Sequence, residues 1–231
     1  MSNEQPPQKR HKGATEAAQN LSYLYDSSDV VTLIVGHEEH KMAAHAASIT
    51  RSSDFFKAAM KKEWLEGQTK TIRLPEEKPE LIAQYLHFTY GNPFPKKDLG
   101  DHKEVSWAHY YDLVARLFVV GERMLDKTFQ NAAITAFTFL VNRQGRSGDG
   151  WIPGEDVIRI IYEGTSEASS ARRLLVDIYV ACASASWEWN IEEMPKQFIF
   201  DFMIALVKHV NKDEEVSASR RSKFLAGDYM M

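Results

Sequence analysis

The chain has almost no cysteine: Cys182 is the single one among 231 residues. An internal disulfide is therefore excluded. Long apolar runs are missing too. The richest stretch, Ile178 to Trp187, falls far short of the ~18 uninterrupted apolar residues that mark a membrane span, and Ser184 and Ser186 interrupt it. No apolar signal-peptide segment stands near the N-terminus. These absences lead us to expect a soluble protein of a reducing intracellular compartment, cytoplasmic or nuclear.

A positive surplus is lacking as well. The net charge is −4 and the isoelectric point is near 6.1, so neither a phosphate backbone nor a membrane is expected as a partner. Lys9-Arg10-His11-Lys12 is the only dense basic cluster. It reads as part of a solvated tail rather than as a nuclear-import signal, because such short clusters are frequent by chance.

Signatures of catalysis are sparse. No Gly-x-Ser-x-Gly turn is available to strain a nucleophile, and nothing positions Ser147 against His45. The segment Gln144 to Gly150 holds three glycines, yet no Gly-Lys-Ser/Thr follows and no strand precedes it, so it reads as a loop rather than a phosphate cradle. His37, His40 and His45 lie close in sequence. A hairpin sends alternate side chains to opposite faces, so three convergent nitrogens are not expected and a structural reading is preferred. The carboxylate pairs Glu76-Glu77, Glu192-Glu193 and Glu214-Glu215 sit in polar runs and read as solvated surface. No catalytic, metal or cofactor-binding residue is assigned.

What the chain does have is a dense, ordered stretch from Asp29 to Gly91. Val30-Val31-Thr32-Leu33-Ile34-Val35 is too short for an ordinary helix and does not alternate with polar residues, which predicts a central strand buried on both faces. After the turn at Gly36-His37-Glu38-Glu39, His40 to Ala43 pairs back, and the chain turns helical at Ala44-His45. Two short helices are expected before the third strand. Ser52 or Ser53 caps one whose inner stripe is Phe55, Phe56, Ala59 and Met60. Thr69 to Leu74 alternates as the third strand and ends at Pro75. Pro79 opens a helix carrying Ile82, Tyr85, Leu86, Thr89 and Tyr90, stopped at Gly91-Asn92-Pro93.

These residues resemble the BTB/POZ domain family. The likeness lies in Ser28-Asp29-Val30, Ala44-His45, Ile49, Ser53-Asp54-Phe55-Phe56, Trp64-Leu65-Glu66-Gly67, Thr71 to Pro75, Pro79-Glu80 and Tyr85 to Gly91, in this order and spacing. Ala115 to Arg123 looks like the helical continuation common in fungal members. The resemblance implies an α+β, BTB/POZ fold: a small three-stranded sheet with a cluster of helices, followed by an all-helical C-terminal extension.

The remainder reads as tails and helices. Residues 1–20 are expected to be a disordered tail, 21–142 the BTB/POZ domain with its helical continuation, 143–215 a C-terminal helical region, and 216–231 a frayed tail. Leu21, Leu24 and Tyr25 give a first anchored turn. Trp107, Tyr110, Tyr111, Val114, Leu117 and Phe118 pattern a helix that breaks at Gly121, and Leu125, Phe129, Ala132, Ala133, Phe137, Leu140 and Val141 carry the next. Past the boundary loop, Val157, Ile160 and Ile161 face inward until Gly164 stops that helix. Ser166 caps the following one, with Leu174, Leu175, Ile178, Tyr179 and Cys182 inside. Trp187 and Trp189 bracket Glu188, and Pro195 starts a last helix with Phe198, Phe202, Ala205, Leu206 and Val210 inward.

The function implied by the resemblance is non-enzymatic protein–protein interaction. Trp64-Leu65-Glu66 resembles the hydrophobic-x-acidic motif by which adaptor members dock the N-terminal helices of a cullin ubiquitin-ligase scaffold. A bulky Trp64 would anchor and Glu66 would orient at the rim. The competing reading has Trp64 covering the sheet. Homo-oligomerisation without a ligase link is the alternative function. Zinc-finger and Kelch-linked members pair the aspartate matching Asp29 with a basic residue after the histidine matching His45; here Ala46 stands there, which implies a strand-opening or capping role for Asp29.

Overall fold

The computed structural model describes residues 29–95, 107–144, 152–182, 191–212, 227 and 230. The expected segments at Leu21 to Tyr25, the glycine loop at 145–150, Trp187 to Trp189, the 1–20 tail and all of the 216–231 tail but residues 227 and 230 lie outside them.

Strand β1 (Val30–Val35) is central, as its run of β-branched and aliphatic residues predicts. It pairs antiparallel with β2 (His40–His45) and parallel with β3 (Thr71–Leu74), in the order β2-β1-β3. Val31, Leu33 and Val35 are fully buried on one face; on the other Ile34 is buried but Val30 and Thr32 are only half-buried, so the strand is not covered on both faces along its whole length. The hairpin closes through two left-handed residues, Gly36 (φ 74°) and Glu39 (φ 53°).

β2 runs two residues further than expected. Ala44 pairs with Val31 and His45 with Val30, so the backbone stays extended until Ala46. A parallel β1–β3 pair needs a crossover, and three short helices supply it: α1 (Ala46–Thr50), α2 (Asp54–Ala59) and α3 (Leu65–Thr69). Two were expected. α3 buries no residue, so it has no apolar stripe for periodicity to detect. Its last residue, Thr69, and the left-handed Lys70 (φ 50°) occupy what reads as the start of a strand, and β3 begins only at Thr71.

Ser53 caps α2: its Oγ accepts the Phe56 amide at 3.1 Å and donates to the Met124 carbonyl at 2.5 Å. Phe56 is fully buried, whereas Phe55, Ala59 and Met60 are half-buried. Helix α4 (Pro79–Thr89) starts on its proline and buries Ile82, Tyr85 and Leu86. The sheet, these helices and Leu117, Val120, Met124 and Phe129 form one core.

Helix α5 (Trp107–Arg123) runs through Gly121 without a break. A Cβ at Gly121 would stand 3.0 Å from side-chain atoms of both Phe129 and Gln130, so this glycine serves the close approach of α6 (Lys127–Gln144) rather than a helix end. The chain turns instead at Leu125, left-handed at φ 49° and exposed, not inward as its place in the apolar pattern predicts.

A second core joins α5 and α6 to α7 (Glu155–Gly164), α8 (Ser170–Cys182) and α9 (Lys196–Lys212), through Val114, Phe118, Phe137, Ile158, Leu174 and Phe198 among others. α5 therefore feeds both cores, and the second runs continuously across both sides of the glycine loop.

Four local readings are corrected here. Gly164 is the last residue of α7 but not a left-handed cap; Thr165 is extended, and glycine stands at 164 because a Cβ there would meet both γ-carbons of Val119 at 2.6 Å. Ser166 does not cap α8; it donates its amide and hydroxyl to Glu122 Oε1 at 2.8 and 2.9 Å, and Ser169 stands nearer the helix start. Leu206 is exposed, while Phe198 takes the buried place in α9. Glu77 is buried rather than solvated and accepts from Arg123 Nη1 at 3.1 Å.

The C-terminal carbonyls of α7 are closed by a residue without an apolar signal. Buried Arg172 donates to the Tyr162 carbonyl at 2.6 Å and to the Thr165 carbonyl, and lies 4.7 Å over the Tyr162 ring. A guanidinium suits both tasks, since it offers several fixed donors and a flat cation.

Candidate docking surface

The stretch Trp64-Leu65-Glu66 sits where α2 hands over to α3. Trp64 is the residue just ahead of α3. Its amide donates to the Lys61 carbonyl at 3.0 Å, and its own carbonyl accepts from the Gln68 amide at 3.2 Å. The Gln68 side chain reaches the Lys62 carbonyl at 3.0 Å, and Thr69 Oγ1 the Leu65 carbonyl at 2.8 Å. Gly67 lets this turn of helix lie against the preceding chain: a Cβ there would fall 2.2 Å from the Lys61 oxygen. The backbone is pinned on both sides of Trp64.

The side chains are not covered. Trp64 is 57% exposed and Leu65 70%. Trp64 thus does not serve as a lid over the sheet. Glu66 is half-buried in the first turn of α3, where a carboxylate meets the positive end of the helix. Together with Phe55 and Ala59 of α2 and Ile72 and Arg73 of the edge strand β3, these residues line an open groove of about 470 Å³. Arg73 forms a salt bridge to Glu39 at 2.5 Å on the outer face of the sheet.

A second shallow groove, about 650 Å³, lies between Arg51, Lys57, Phe88, Leu125 and Lys127. Its exposed apolar residue is Leu125. Lys57 bonds Asp54 at 2.8 Å and holds that carboxyl below the usual range. Sequence reasoning missed this surface because Leu125 continues the apolar pattern of α6 and reads as core. A left-handed conformation at a leucine carries no sequence signal.

The three histidines are separated in the structure. His37 and His40 are exposed on the hairpin, whereas His45 is half-buried, its amide and its Nδ1 each 2.9 Å from the Tyr90 hydroxyl. Among the described residues no group of three or more histidine, cysteine, aspartate or glutamate side chains is arranged to hold a metal. Asp29 faces Lys70 at 4.0 Å, a loose pair with both side chains part exposed. No helix among the described residues is long and apolar enough to cross a membrane.

Exposed aromatic and aliphatic side chains on pinned backbone, beside shallow grooves, have the anatomy of a protein-docking module. Residues 21–128 match the model of the BTB/POZ domain family, and over that segment the chain is a BTB/POZ domain, a protein–protein interaction module. The α+β architecture agrees with that assignment. No curated protein matches the chain.

Proposed function

We propose that this protein is an intracellular, non-enzymatic substrate adaptor. Trp64, Leu65 and Glu66 dock the N-terminal helices of a cullin-type ubiquitin-ligase scaffold, and the helical region after Gly150 recruits the target. In this reading residues 21–142 are the docking unit, 143–215 the recruiting region, and 1–20 and 216–231 tails.

The observation that carries the reading is the adjacency of Trp64 and Leu65 at 57% and 70% exposure. Tryptophan brings a large contact area at little rotamer cost, and a pinned backbone limits the ordering that binding requires. Glu66 beside them offers a charge at the rim, which steers and orients more than it tightens.

Direct binding to cullin N-terminal repeats, with affinity capture from native extract, tests it. The wild type should bind, and Trp64→Ala with Glu66→Lys should lose roughly 2 kcal/mol or more, as truncation of a central aromatic anchor does. Absence of binding by the wild type, or equal binding by the double variant, removes the proposal. Self-assembly without a ligase link is a second reading, favoured by the apolar face of α9.

A further inference from the structure

Half of the large apolar side chains standing exposed among the described residues belong to one helix. Of ten such residues, Phe200, Met203, Ile204, Leu206 and Val207 lie on α9, at 59, 59, 39, 36 and 60% exposure. The opposite side of α9 is anchored. Phe198 is fully buried, Phe202 and Ala205 pack beside it, and Tyr162 Oη donates to Asp201 Oδ2 at 3.0 Å. Phe200, Met203, Ile204 and Val207 fall at i, i+3, i+4 and i+7 and so form one stripe along a helix already held in place. A continuous apolar stripe, unlike single scattered residues, marks a contact surface.

We propose that a second copy of this chain covers the stripe, with α9 lying antiparallel to α9 about a two-fold axis between Met203 and Ile204. The stripe is symmetric about that point. Phe200 of one copy comes level with Val207 of the other, and Met203 with Ile204, as an isologous contact requires.

The charges beside the stripe match the same arrangement. Asp201 and Lys208 are seven residues apart, about two turns, and therefore lie on one flank. The two-fold brings Asp201 of each copy to within ~3 Å, along the axis, of Lys208 of the other. A parallel pairing would instead set Lys208 level with Lys208. Asp201 keeps acceptor capacity for this: its Oδ2 receives Tyr162 and its Oδ1 receives Gln197 at 2.8 Å, leaving a lone pair on each oxygen. The contact uses none of the Trp64 surface and lies outside the matched BTB/POZ segment, so either proposal can fail without the other.

The test is sedimentation velocity of the full chain over ~1 to 100 μM. A dimer is expected. Met203→Glu should raise its dissociation constant roughly 30-fold or more, because it carries an unpaired carboxylate into an apolar seam. Circular dichroism should stay unchanged, and melting should differ from the wild type only at concentrations where the wild type is dimeric. In a Cys182→Ser background, a bis-maleimide should couple Phe200→Cys chains to Val207→Cys chains but not Phe200→Cys chains to one another. A monomer at every concentration overturns the proposal and leaves the stripe to another segment of this chain or to a foreign partner. A dimer indifferent to Met203→Glu, or coupling of Phe200→Cys chains to themselves, overturns it equally.

Discussion

The hydroxyl of Tyr85 in α4 donates to Asp126 Oδ2 at 2.9 Å, with both residues fully buried. Ser52 donates to the same oxygen at 2.6 Å, and the other oxygen of Asp126 accepts the Phe129 amide at 3.0 Å at the start of α6. One carboxylate thus joins the crossover helices, α4 and α6 beneath the sheet. Asp126→Ala should cost about 3 kcal/mol, since it removes a helix cap and orphans a buried phenol. Tyr85→Phe should cost about 1 kcal/mol, and the double variant less than the sum. Urea unfolding of the four proteins checks this; strict additivity would mean the bond contributes nothing.

Gly164 is required by its neighbour rather than by its backbone angle. A methyl there meets both γ-carbons of Val119, which is itself buried in α5. Gly164→Ala should destabilise by about 1–3 kcal/mol, as overpacking does. Adding Val119→Ala should recover part of that loss, although Val119→Ala alone is destabilising. If the double variant is no better than Gly164→Ala alone, the cost lies elsewhere than in this contact.

Four phenols make the protein sensitive to alkali. Burial pushes Tyr85, Tyr111, Tyr162 and Tyr179 above the ordinary tyrosine range, with Asp126 and Asp201 adding to it at Tyr85 and Tyr162. A raised folded-state value means that the contribution is fully present below the unfolded phenol value of about 10 and is lost as pH rises beyond it. Unfolding should therefore become easier above about pH 10, by proton release on exposure. Phenolate absorbance should rise for these four together with the loss of the circular-dichroism signal. Smooth titration of all tyrosines with the fold intact would refute this.

Much of this was legible in the sequence where a residue's chemistry and its spacing point the same way. Val30 to Val35 could only be an inner strand, Pro79 marks the start of α4, and Ser53 marks α2. The errors share a cause. Gly121 and Gly164 look like breaks, yet each is small because another helix comes close, which only the tertiary packing decides. Leu125 and Leu206 obey the apolar period and are nevertheless exposed, the first because the chain reverses left-handed, the second because α9 is apolar on more than one side. Glu77 reads as surface because its partner, Arg123, is 46 residues distant. Trp64 and Leu65 are the harder case: an aromatic residue looks the same in a core and on a surface, and only the fold shows that these two are left uncovered.

Glu122 ties the BTB/POZ segment to the helices that follow it. Its Oε1 accepts the amide and hydroxyl of Ser166 at 2.8 and 2.9 Å, and its Oε2 accepts the Ser169 hydroxyl at 3.0 Å. From the α5 side the turn between α7 and α8 is thus held by one carboxylate, while Arg172 of α8 holds its Thr165 end. Glu122→Gln keeps the shape but exchanges one acceptor oxygen for an amide that cannot accept, so it should lose part of this hold; Glu122→Ala should lose all of it, at about 1–3 kcal/mol. Local opening requires only the nearby bonds to break. Amide exchange should therefore quicken first at Ser166 and at the start of α8, while β1 keeps its protection. Uniform quickening through the sheet would show instead that Glu122 supports the whole fold and not this junction.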